Sequence, residues 1–418
     1  MSARSPIERP RGTHDVVPAE MPRWRSVTDE LTRLCGLYGY RQIVTPVFED
    51  TSLFARTSGA GSDVVQKEMY TFEDRSNRSL TLRPEGTAPI CRAYVEHGMH
   101  RDPQPVKLFT IAPMYRYGAP GRGRYREHWQ ASVEALGSDD PAIDAELIQL
   151  YDTLLARLGV TRYHLELNSI GCRACRPAYL EALTAWLEAN ADRLDEDTRA
   201  KVAVSPLRVF DNYLAKPPDV RAALDEAPTI GESLCEACVE HFAVVRGHLD
   251  AMGVDYRLVP TLVRGLDYYT RTTFEFVGPL ENQNSTIAGG GRYDYLVEEI
   301  GGPPTPGIGF GAGVERLVIA LEEEGVEEPP APAMDVFVAV EPGAARDRVA
   351  AWLAELRRGG VAAETDYAGR SLKGQLTQAR RLGATAIAVV GAEGATLRLP
   401  GQPDEPVGHD EIVSRLSP

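Results

Sequence analysis

The hydrophobic pattern of residues 334–418 predicts strands that alternate with helices. MDVFVAV is an apolar run typical of a buried strand, and residues 343–360 carry apolar side chains at helical spacing up to a terminal pair of glycines. Two more strands are predicted for VAAET and ATAIAVVG, and between them SLKGQLTQARRLG has the pattern of a helix with a serine cap. This order predicts a small α/β domain.

An acidic, proline-containing segment separates this domain from the rest of the chain. In LEEEGVEEPPAPAMD, residues 321–335, glutamates run into three prolines. Repulsion between the acidic groups and the fixed proline backbone favour an extended, solvated chain, so we place a linker at residues 326–333. Within residues 1–325, a helix-rich stretch at 172–255 lies between two stretches of strand-like alternation. The pattern predicts an α+β domain interrupted by a helical insertion.

Two strands joined by an arginine-rich loop are predicted between residues 105 and 136. PVKLFTIAPMY and YREHWQASVEAL have strand patterns, whereas the glycines and proline of GAPGRG deny it regular structure. Period two places Gln130 and Glu134 on one face of the second strand, opposite its apolar side. Arginines above a polar floor suit a phosphate-bearing ligand, although a basic surface hairpin without a ligand explains this stretch equally well.

Two glycine-rich stretches suggest a close approach of the backbone to a ligand. In STIAGGGRYDYL, three glycines are expected after a strand, where they permit close approach of the backbone to a ligand or to another strand, with a tight bend as the alternative. In TPGIGFGAGVERLVIAL, Gly307, Gly309, Gly311 and Gly313 alternate, which predicts a strand with one bare face, and a helix carrying Arg316 follows. The bare face leaves room for a flat ring, and Arg316 supplies a cation near its phosphates.

Two other stretches crowd polar groups at the ends of strands. In TLRPEGTAP, a Pro-Glu-Gly turn directs Glu85 and Thr87 beyond the end of a strand, although this is also common turn chemistry. VRGLDYYTRTTFEF, residues 263–276, places a cation, an anion and two phenols ahead of an alternating run. We assign Asp267 to holding Arg264 or a neighbouring backbone group, with an ordinary surface aspartate as the alternative.

Composition limits the classes of function. Hydrophobic residues make up 43% and charged residues 25%, which is typical of globular domains, and no apolar run reaches the length of about 18 residues that a membrane span needs. The N-terminus lacks the apolar core of a secretion signal, so we expect a cytosolic protein. The formal charge of -15 argues against indiscriminate nucleic-acid binding but permits a local concentration of arginine.

Cysteine spacing indicates a metal site. Four of the six cysteines form two Cys-x-x-Cys pairs, Cys172/Cys175 and Cys235/Cys238. In a reducing compartment such pairs favour tetrahedral zinc over disulfides, with free thiols as the alternative. The helical segment between the pairs would have to fold back to close the site.

Taken together, these stretches resemble histidyl-tRNA synthetase, a class II aminoacyl-tRNA synthetase, over essentially the whole chain. YGYRQIVTPVFED is similar to the first motif of the family, FTIAPMYRYGAPGRGRYREHWQ to the second and GIGFGAGVERL to the third. RGLDYYTRTTFEF and GGGRYD match two stretches peculiar to the histidine enzymes, and RPRGTHDVVP is similar to the opening of the family.

The resemblance implies a reaction and a fold. Residues 1–325 would form a class II catalytic domain, an antiparallel sheet flanked by helices, and residues 334–418 an α/β anticodon-binding domain. The enzyme would use ATP and Mg²⁺ to activate L-histidine and transfer it to tRNA(His). It would act as a homodimer formed through the motif-one strand around Pro46.

The resemblance also implies roles for individual residues. Arg116 would hold the α-phosphate of ATP, Arg316 its γ-phosphate end, and Arg264 would lie between the carboxylate of histidine and the α-phosphate, so that Arg116 and Arg264 are the catalytic residues. The implied histidine-binding residues are Glu85, Gly86, Thr87, Gln130, Glu134, Arg264, Tyr268, Tyr269 and Tyr293. The implied ATP-binding residues are Arg116, Arg124, Tyr125, Gly311 and Arg316.

The chain departs from the family in the loop after Arg116. Residues 118–121 read Gly-Ala-Pro-Gly where the family often has Glu-Arg-Pro-Gln, so polar contacts to the tRNA acceptor end are missing and Arg122 is the candidate to replace them as a phosphate clamp. The alternative function is a histidine-sensing regulatory subunit of ATP phosphoribosyltransferase. That alternative predicts loss of the catalytic arginines and of the C-terminal domain, and both are present here.

Overall fold

The computed structural model describes residues 6–57, 67–202, 205–211, 213, 216–279, 286–344 and 346–417. The chain divides into two compact units, Met1–Glu328 and Pro329–Pro418. Each unit has its own buried apolar cluster. Among the described helices, none combines the length and apolar composition needed to span a lipid bilayer.

The first unit combines a large sheet with helices. Its helices are α1 (Met21–Leu37), α2 (Thr51–Thr57), α3 (Thr87–Glu96), α4 (Pro141–Leu158), α5 (Arg176–Ala189), α6 (Glu196–Val202), α7 (Pro218–Leu224), α8 (Glu236–Met252), α9 (Leu296–Glu299) and α10 (Val314–Glu324). Its strands are β1 (Arg41–Gln42), β2 (Phe48–Asp50), β3 (Thr71–Glu73), β4 (Ser79–Leu82), β5 (Val106–Tyr115), β6 (Glu127–Leu136), β7 (His164–Ser169), β8 (Arg257–Leu258), β9 (Thr270–Val277), β10 (Thr286–Arg292) and β11 (Gly307–Gly313).

An eight-stranded sheet in the order β1-β5-β6-β11-β10-β9-β7-β8 is the frame of this unit. Its central strands pair antiparallel, and the predicted hairpin is present as β5 and β6. The register places Glu134 opposite Gly309, and Gly289 opposite both Gly311 and Glu275. A smaller sheet has the order β2-β4-β3, and Pro46 lies in the irregular segment between β1 and β2.

Four helices, α1, α4, α8 and α10, share a core with the sheet. The side chain of Asp140 caps α4 by accepting from the Ala142 amide at 2.9 Å, and Gly159 ends the helix in the left-handed conformation. Between these caps, Leu147, Leu150 and Leu154 are fully buried against sheet residues. Helix α8, at the end of the predicted insertion, adds Val245 and Leu249 to the same core.

The second unit has the predicted α/β order. It contains β12 (Val336–Val340), α11 (Arg346–Arg358), β13 (Ala363–Thr365), α12 (Leu372–Arg381), β14 (Ala386–Val390), β15 (Ala395–Arg398), β16 (Glu405–Val407) and α13 (Ile412–Leu416). The strand order is β13-β12-β14-β15-β16, with the three predicted strands parallel. Ser371 caps α12 by accepting from the Gly374 amide at 3.4 Å. The predicted fold class, an α+β domain with a helical insertion and a C-terminal α/β domain, is confirmed.

One local prediction is wrong. The run Gly289–Gly291 lies inside β10 and does not follow a strand. A Cβ on Gly290 would lie 2.1 Å from the carbonyl oxygen of Gly309 and 2.7 Å from the Cβ of Phe310. The glycine therefore lets β10 and β11 approach each other in the middle of the sheet. The run was not predicted as part of a strand because glycine has no apolar side chain to contribute to an alternating pattern.

Candidate active site

A cleft of about 250 Å³ is lined by β6, β10, β11, the starts of α3 and α10, and four segments between these elements. It brings together most of the residues selected from the sequence. The predicted site residues that line it are Glu85, Thr87, Arg116, Arg124, Tyr125, Gln130, Arg264, Tyr268, Tyr269, Gly311 and Arg316.

Three arginines from distant parts of the chain meet in this cleft, each held in a different way. The Nε of Arg116 donates to the carbonyl oxygen of Pro84 at 2.7 Å. The Nε of Arg316 donates to the carbonyl oxygen of Gly123 at 2.9 Å, and its Nη1 donates to the carbonyl oxygen of Thr286. Arg264 forms an ion pair with Glu275, on β9.

Burial and neighbouring charge set the electrostatics of the cleft. Burial and the nearby guanidinium groups of Arg116 and Arg124 lower the pKa of Arg316. Burial alone would lower the pKa of Arg264 as well, but the carboxylate of Glu275 together with the hydroxyls of Tyr268 and Tyr269 outweighs burial, and the pKa is raised. Arg316 therefore lies among other guanidinium groups, with Glu275 opposing the shift in its pKa, whereas Arg264 forms a direct ion pair with Glu275. Such a group of guanidinium charges favours a polyanionic ligand.

A polar pocket lies behind one end of the cleft. The carboxylate of Glu134, which is fully buried, accepts from the hydroxyl of Thr87 at 2.7 Å and from the hydroxyl of Tyr293 at 2.5 Å. Burial raises the pKa of Glu134 well above its usual range. The rings of Tyr268 and Tyr269 lie 4.6 Å apart between centroids, and Tyr268 meets Tyr293 edge to face. The pocket is thus a buried hydrogen-bonding site walled by aromatic rings.

Glu85 serves the local structure of the pocket. Its carboxylate accepts from the amides of Thr87 at 2.7 Å and Ala88 at 2.9 Å, so it satisfies the free N–H groups at the start of α3. Burial raises its pKa, although these hydrogen bonds oppose the shift. Gly86 precedes the helix, and a Cβ there would lie 2.2 Å from the Oγ of Ser132.

The alternating glycines make room for the side chains of the site itself. A Cβ on Gly309 would lie 1.6 Å from the Oε2 of Glu134, and one on Gly311 would lie 2.8 Å from the Nε2 of Gln130. On β10, a Cβ on Gly289 would meet the guanidinium of Arg264 at 2.5 Å. The bare face predicted for β11 therefore exists and is largely filled by the polar groups of the pocket. Gly311 still reaches the cleft.

Several residues selected from the sequence lie elsewhere. Glu134, Tyr293 and Gly86 stand behind the cleft lining rather than in it. Asp267 does not hold Arg264, because its carboxylate accepts from Arg208, in the insertion, at 2.9 Å. The exposed Arg122 is paired with Glu322 and Glu323 of α10, so as a phosphate clamp it would have to exchange partners.

Sequence reasoning missed other groups in and around the cleft. His128, Glu315 and Glu68 also line it. Burial, with Arg116 and Arg316 nearby, lowers the pKa of His128 to about 3, so its imidazole is neutral at physiological pH. The Oε1 of Glu315 accepts from the Trp129 amide at 2.8 Å, while its Oε2 is buried without a hydrogen-bond partner. Glu275 could have been found, since it faces Gly289 on the polar side of an alternating strand.

The four paired cysteines converge, because α8 returns Cys235 and Cys238 to the segment before α5. The Sγ atoms lie within 4.8 Å of one another. Cys172 is 3.8 Å from both Cys175 and Cys235, and Cys175 is 3.9 Å from Cys238. A tetrahedron of sulfur around zinc at about 2.3 Å has edges of about 3.8 Å. The cluster therefore has the dimensions of a zinc site. Cys35 and Cys91 are buried free thiols, as expected.

Comparison with known proteins agrees with this arrangement. The family model described as "Histidyl-tRNA synthetase" matches residues 12–317. A "Histidine--tRNA ligase" of Moorella thermoacetica is 49% identical over 386 residues, which cover 92% of this chain and 90% of the relative. A "Histidine--tRNA ligase" of Rhodococcus erythropolis is 45% identical over 100% of this chain and 99% of the relative. The apo histidyl-tRNA synthetase of S. aureus superposes with a TM-score of 0.81 at 36% identity, covering 98% of this chain and 99% of that one. The chain belongs to the histidyl-tRNA synthetase family.

Proposed function

We propose that the protein is a histidine–tRNA ligase. It activates L-histidine with ATP to form histidyl-adenylate and pyrophosphate, and then transfers the histidyl group to the 3′ end of tRNA(His) with release of AMP. The observation that carries the proposal is the meeting of Arg116, Arg264 and Arg316 in one cleft beside a buried hydrogen-bonding pocket.

The arginines account for the first reaction. The carboxylate of histidine attacks the α-phosphorus, and because it is already ionised at neutral pH no general base is needed. The barrier comes from bringing two anions together. Arg116 and Arg264 supply fixed positive charge where negative charge develops at the α-phosphate, and Arg316 binds the γ-phosphate end. Pyrophosphate is the leaving group.

The pocket accounts for selectivity. A neutral imidazole has one donor and one acceptor, and the carboxyl of Glu134, the amide of Gln130 and the tyrosine hydroxyls can pair with both. Thr87 and Tyr293 hold Glu134 in place at 2.7 and 2.5 Å. A side chain without hydrogen-bonding groups would leave these buried atoms unpaired, so we expect discrimination of roughly 10⁴-fold or more.

The second reaction needs a proton acceptor for the attacking ribose hydroxyl. The imidazole of His128 lines the cleft, but a group whose pKa is lowered to about 3 is a weak base. We therefore assign the role to a phosphate oxygen of the adenylate. Arg116, which binds that phosphate, would hold it towards the hydroxyl.

The cleft fits magnesium, which prefers oxygen ligands. The Oε2 of Glu315 is buried at the cleft wall without a hydrogen-bond partner, and it would hold the ion together with phosphate oxygens of ATP. When bound, Mg²⁺ neutralises phosphate charge. Arg316, next in sequence to Glu315, would orient the same end of the nucleotide.

We also propose that the four-cysteine cluster binds zinc, with a structural role. Its sulfur separations fit tetrahedral coordination, and a closed set of four thiolates leaves no open position for catalysis. The cytosolic location that we propose with it keeps the thiols reduced. Bound zinc would join α8 to the start of α5.

The remaining proposals concern assembly and tRNA. A homodimer through the segment around Pro46 is supported by the exposed side chains of Val44 and Phe48, which are 83% and 49% exposed. The buried guanidinium of Arg83 donates to the carbonyl oxygens of Thr45 at 2.8 Å and Pro46 at 3.2 Å, so this face is tied to the segment that precedes the Pro-Glu-Gly turn. Residues 334–418 would bind the anticodon.

Histidine-dependent exchange of pyrophosphate into ATP tests the proposal. Exchange with histidine alone among the amino acids is expected. Histidine binding without exchange would favour a regulatory subunit of ATP phosphoribosyltransferase. Charging of tRNA(His) then distinguishes a complete ligase from an enzyme that only forms the adenylate.

A further inference from the structure

The residues that would contact histidine and the α-phosphate lie on a loop without regular structure. Residues 259–269 connect β8 to β9 and carry Arg264, Tyr268 and Tyr269. A loop of this kind has no ladder of strand hydrogen bonds to fix its position. Its geometry must therefore come from side chains of other segments.

Arg208 of the insertion provides one such contact. It lies in a short 3-10 helix, Pro206–Phe210, and only 6% of the residue is exposed. Its Nη2 donates to the carbonyl oxygen of Gly265 at 2.9 Å and to the carboxylate of Asp267 at 2.9 Å. One guanidinium group thus holds the loop at two points, on either side of Leu266, which lines the cleft.

Arg176, at the start of α5, provides a second contact from the insertion. Its Nη2 donates to the carbonyl oxygen of Tyr269 at 2.6 Å, and its Nε donates to the carbonyl oxygen of Ile170 at 3.2 Å. Arg176 follows Cys175 directly in sequence. The cysteine cluster and the end of the loop are therefore joined through one residue.

The insertion and the pocket also share a hydrophobic core. Tyr268, Tyr269 and Tyr293 belong to the same buried cluster as Tyr179 and Phe210 of the insertion. No described residue between 172 and 255 lines the cleft itself. Any effect of the insertion on the site must therefore pass through the loop or through this core.

We propose that the insertion sets the affinity for the amino acid, with Arg208 and Arg176 as positioning residues for the loop that carries Arg264, Tyr268 and Tyr269. The inference rests on the proposed ligase function. The nucleotide depends on other elements, since Arg116 and Arg316 are held by Pro84, Gly123 and Thr286. Loosening the loop should therefore weaken the binding of histidine more than the binding of ATP.

The test is pyrophosphate exchange with the variant Arg208→Gln, in which histidine and ATP are titrated separately. We expect the KM for histidine to rise about tenfold, which corresponds to about 1.4 kcal/mol, and the KM for ATP to stay within about twofold. Arg208→Lys keeps the charge but has a single donor nitrogen in place of the guanidinium, so its effect on the KM for histidine should be intermediate. The matched control is Arg193→Gln, because Arg193 lies in the insertion but pairs with Glu226 and not with the loop.

Unchanged kinetics in a folded Arg208→Gln variant would overturn the inference, as would equal increases in both KM values. Should that variant fail to fold, Asp267→Asn decides. The side chain of Asp267 is 41% exposed, and loss of its charge leaves the contact of Arg208 with Gly265 intact. We therefore expect the KM for histidine to rise about threefold. An unchanged KM would refute the proposal. Absence of histidine-dependent exchange in the unmodified protein would instead contradict the ligase function.

Discussion

Arg264→Ala separates a role in chemistry from a role in binding. The guanidinium is buried against Gly289, where a Cβ would lie 2.5 Å away, and it is balanced by Glu275. Removing a preorganised donor at the developing charge costs about 2.7–4 kcal/mol in the transition state, so adenylation should fall by roughly 10² or more. In the proposed site histidine would also contact the tyrosines and Glu134, so its affinity should change by less than about tenfold.

The same substitution tests the charge balance of the site. It leaves Glu275 with the hydroxyl of Thr286, which donates at 2.9 Å, and with partial exposure of 19%. We therefore expect a stability loss below the roughly 3–5 kcal/mol seen when a fully buried pair is broken. Single-turnover adenylate formation, calorimetric titration of histidine and thermal unfolding measure the three quantities. Equal losses in binding and in adenylation would show that Arg264 is a binding residue and that its proposed role is wrong.

Three further perturbations test the pocket, the cysteine cluster and the buried carboxylate at the cleft wall. Gly309→Ala places a Cβ 1.6 Å from the carboxylate of Glu134 and should raise the KM for histidine at least tenfold in exchange assays, whereas Gly313→Ala, with its nearest neighbour at 3.5 Å, should change it little. Protein purified without added zinc should contain about one zinc per chain by metal analysis, and Cys238→Ser should lower that content; absence of metal would return the cysteines to free thiols. Burial raises the pKa of Glu315 from 4.5 to about 7. The contribution of its neutral carboxyl to the free energy of unfolding is therefore fully present below pH 4.5 and is lost as the pH rises through about 7, which lowers that free energy by about 3 kcal/mol. Glu315→Gln should therefore raise the melting temperature of the ligand-free protein at pH 8 more than at pH 5, and equal shifts at both would contradict the burial argument.

Periodicity was sufficient to predict much of the frame. The alternation in β6 placed Gln130 and Glu134 on one face, and the alternating glycines of β11 predicted its bare side, because both depend only on the period of a strand. In the second unit, β12, β13, β14, α11 and α12 were predicted from the same kind of pattern. β15, β16 and α13 were not predicted. Each has five residues or fewer and carries little periodic signal.

The contacts that hold the site residues in place could not be predicted from periodicity, because they join segments that are distant in sequence. Asp267 stands three residues after Arg264 in sequence, yet its partner is Arg208. Arg264, on the loop before β9, instead pairs with Glu275 of β9, which the register of β9 and β10 places opposite Gly289, and a single sequence does not specify that register. Arg122 belongs to an arginine-rich loop but is neutralised by Glu322 and Glu323, which precede the linker. Sequence proximity suggested Arg264 as the partner of Asp267, and the structure gives each of them a different partner.

The way each arginine is held predicts the orientation of ATP. Arg316 donates to two backbone carbonyls, and the neighbouring charges of Arg116 and Arg124 help burial to lower its pKa, although Glu275 opposes that shift. Arg264 is already paired directly with Glu275, beside the ring of Tyr269. The end of the triphosphate that carries most negative charge should therefore lie at Arg316, and the α-phosphate near Arg116 and Arg264. This orientation leaves the α-phosphate next to the histidine pocket, where the carboxylate must attack, and directs pyrophosphate away from it. The reverse orientation would place the greatest negative charge at Arg264, whose charge is already balanced by its ion pair with Glu275, and is electrostatically less favourable.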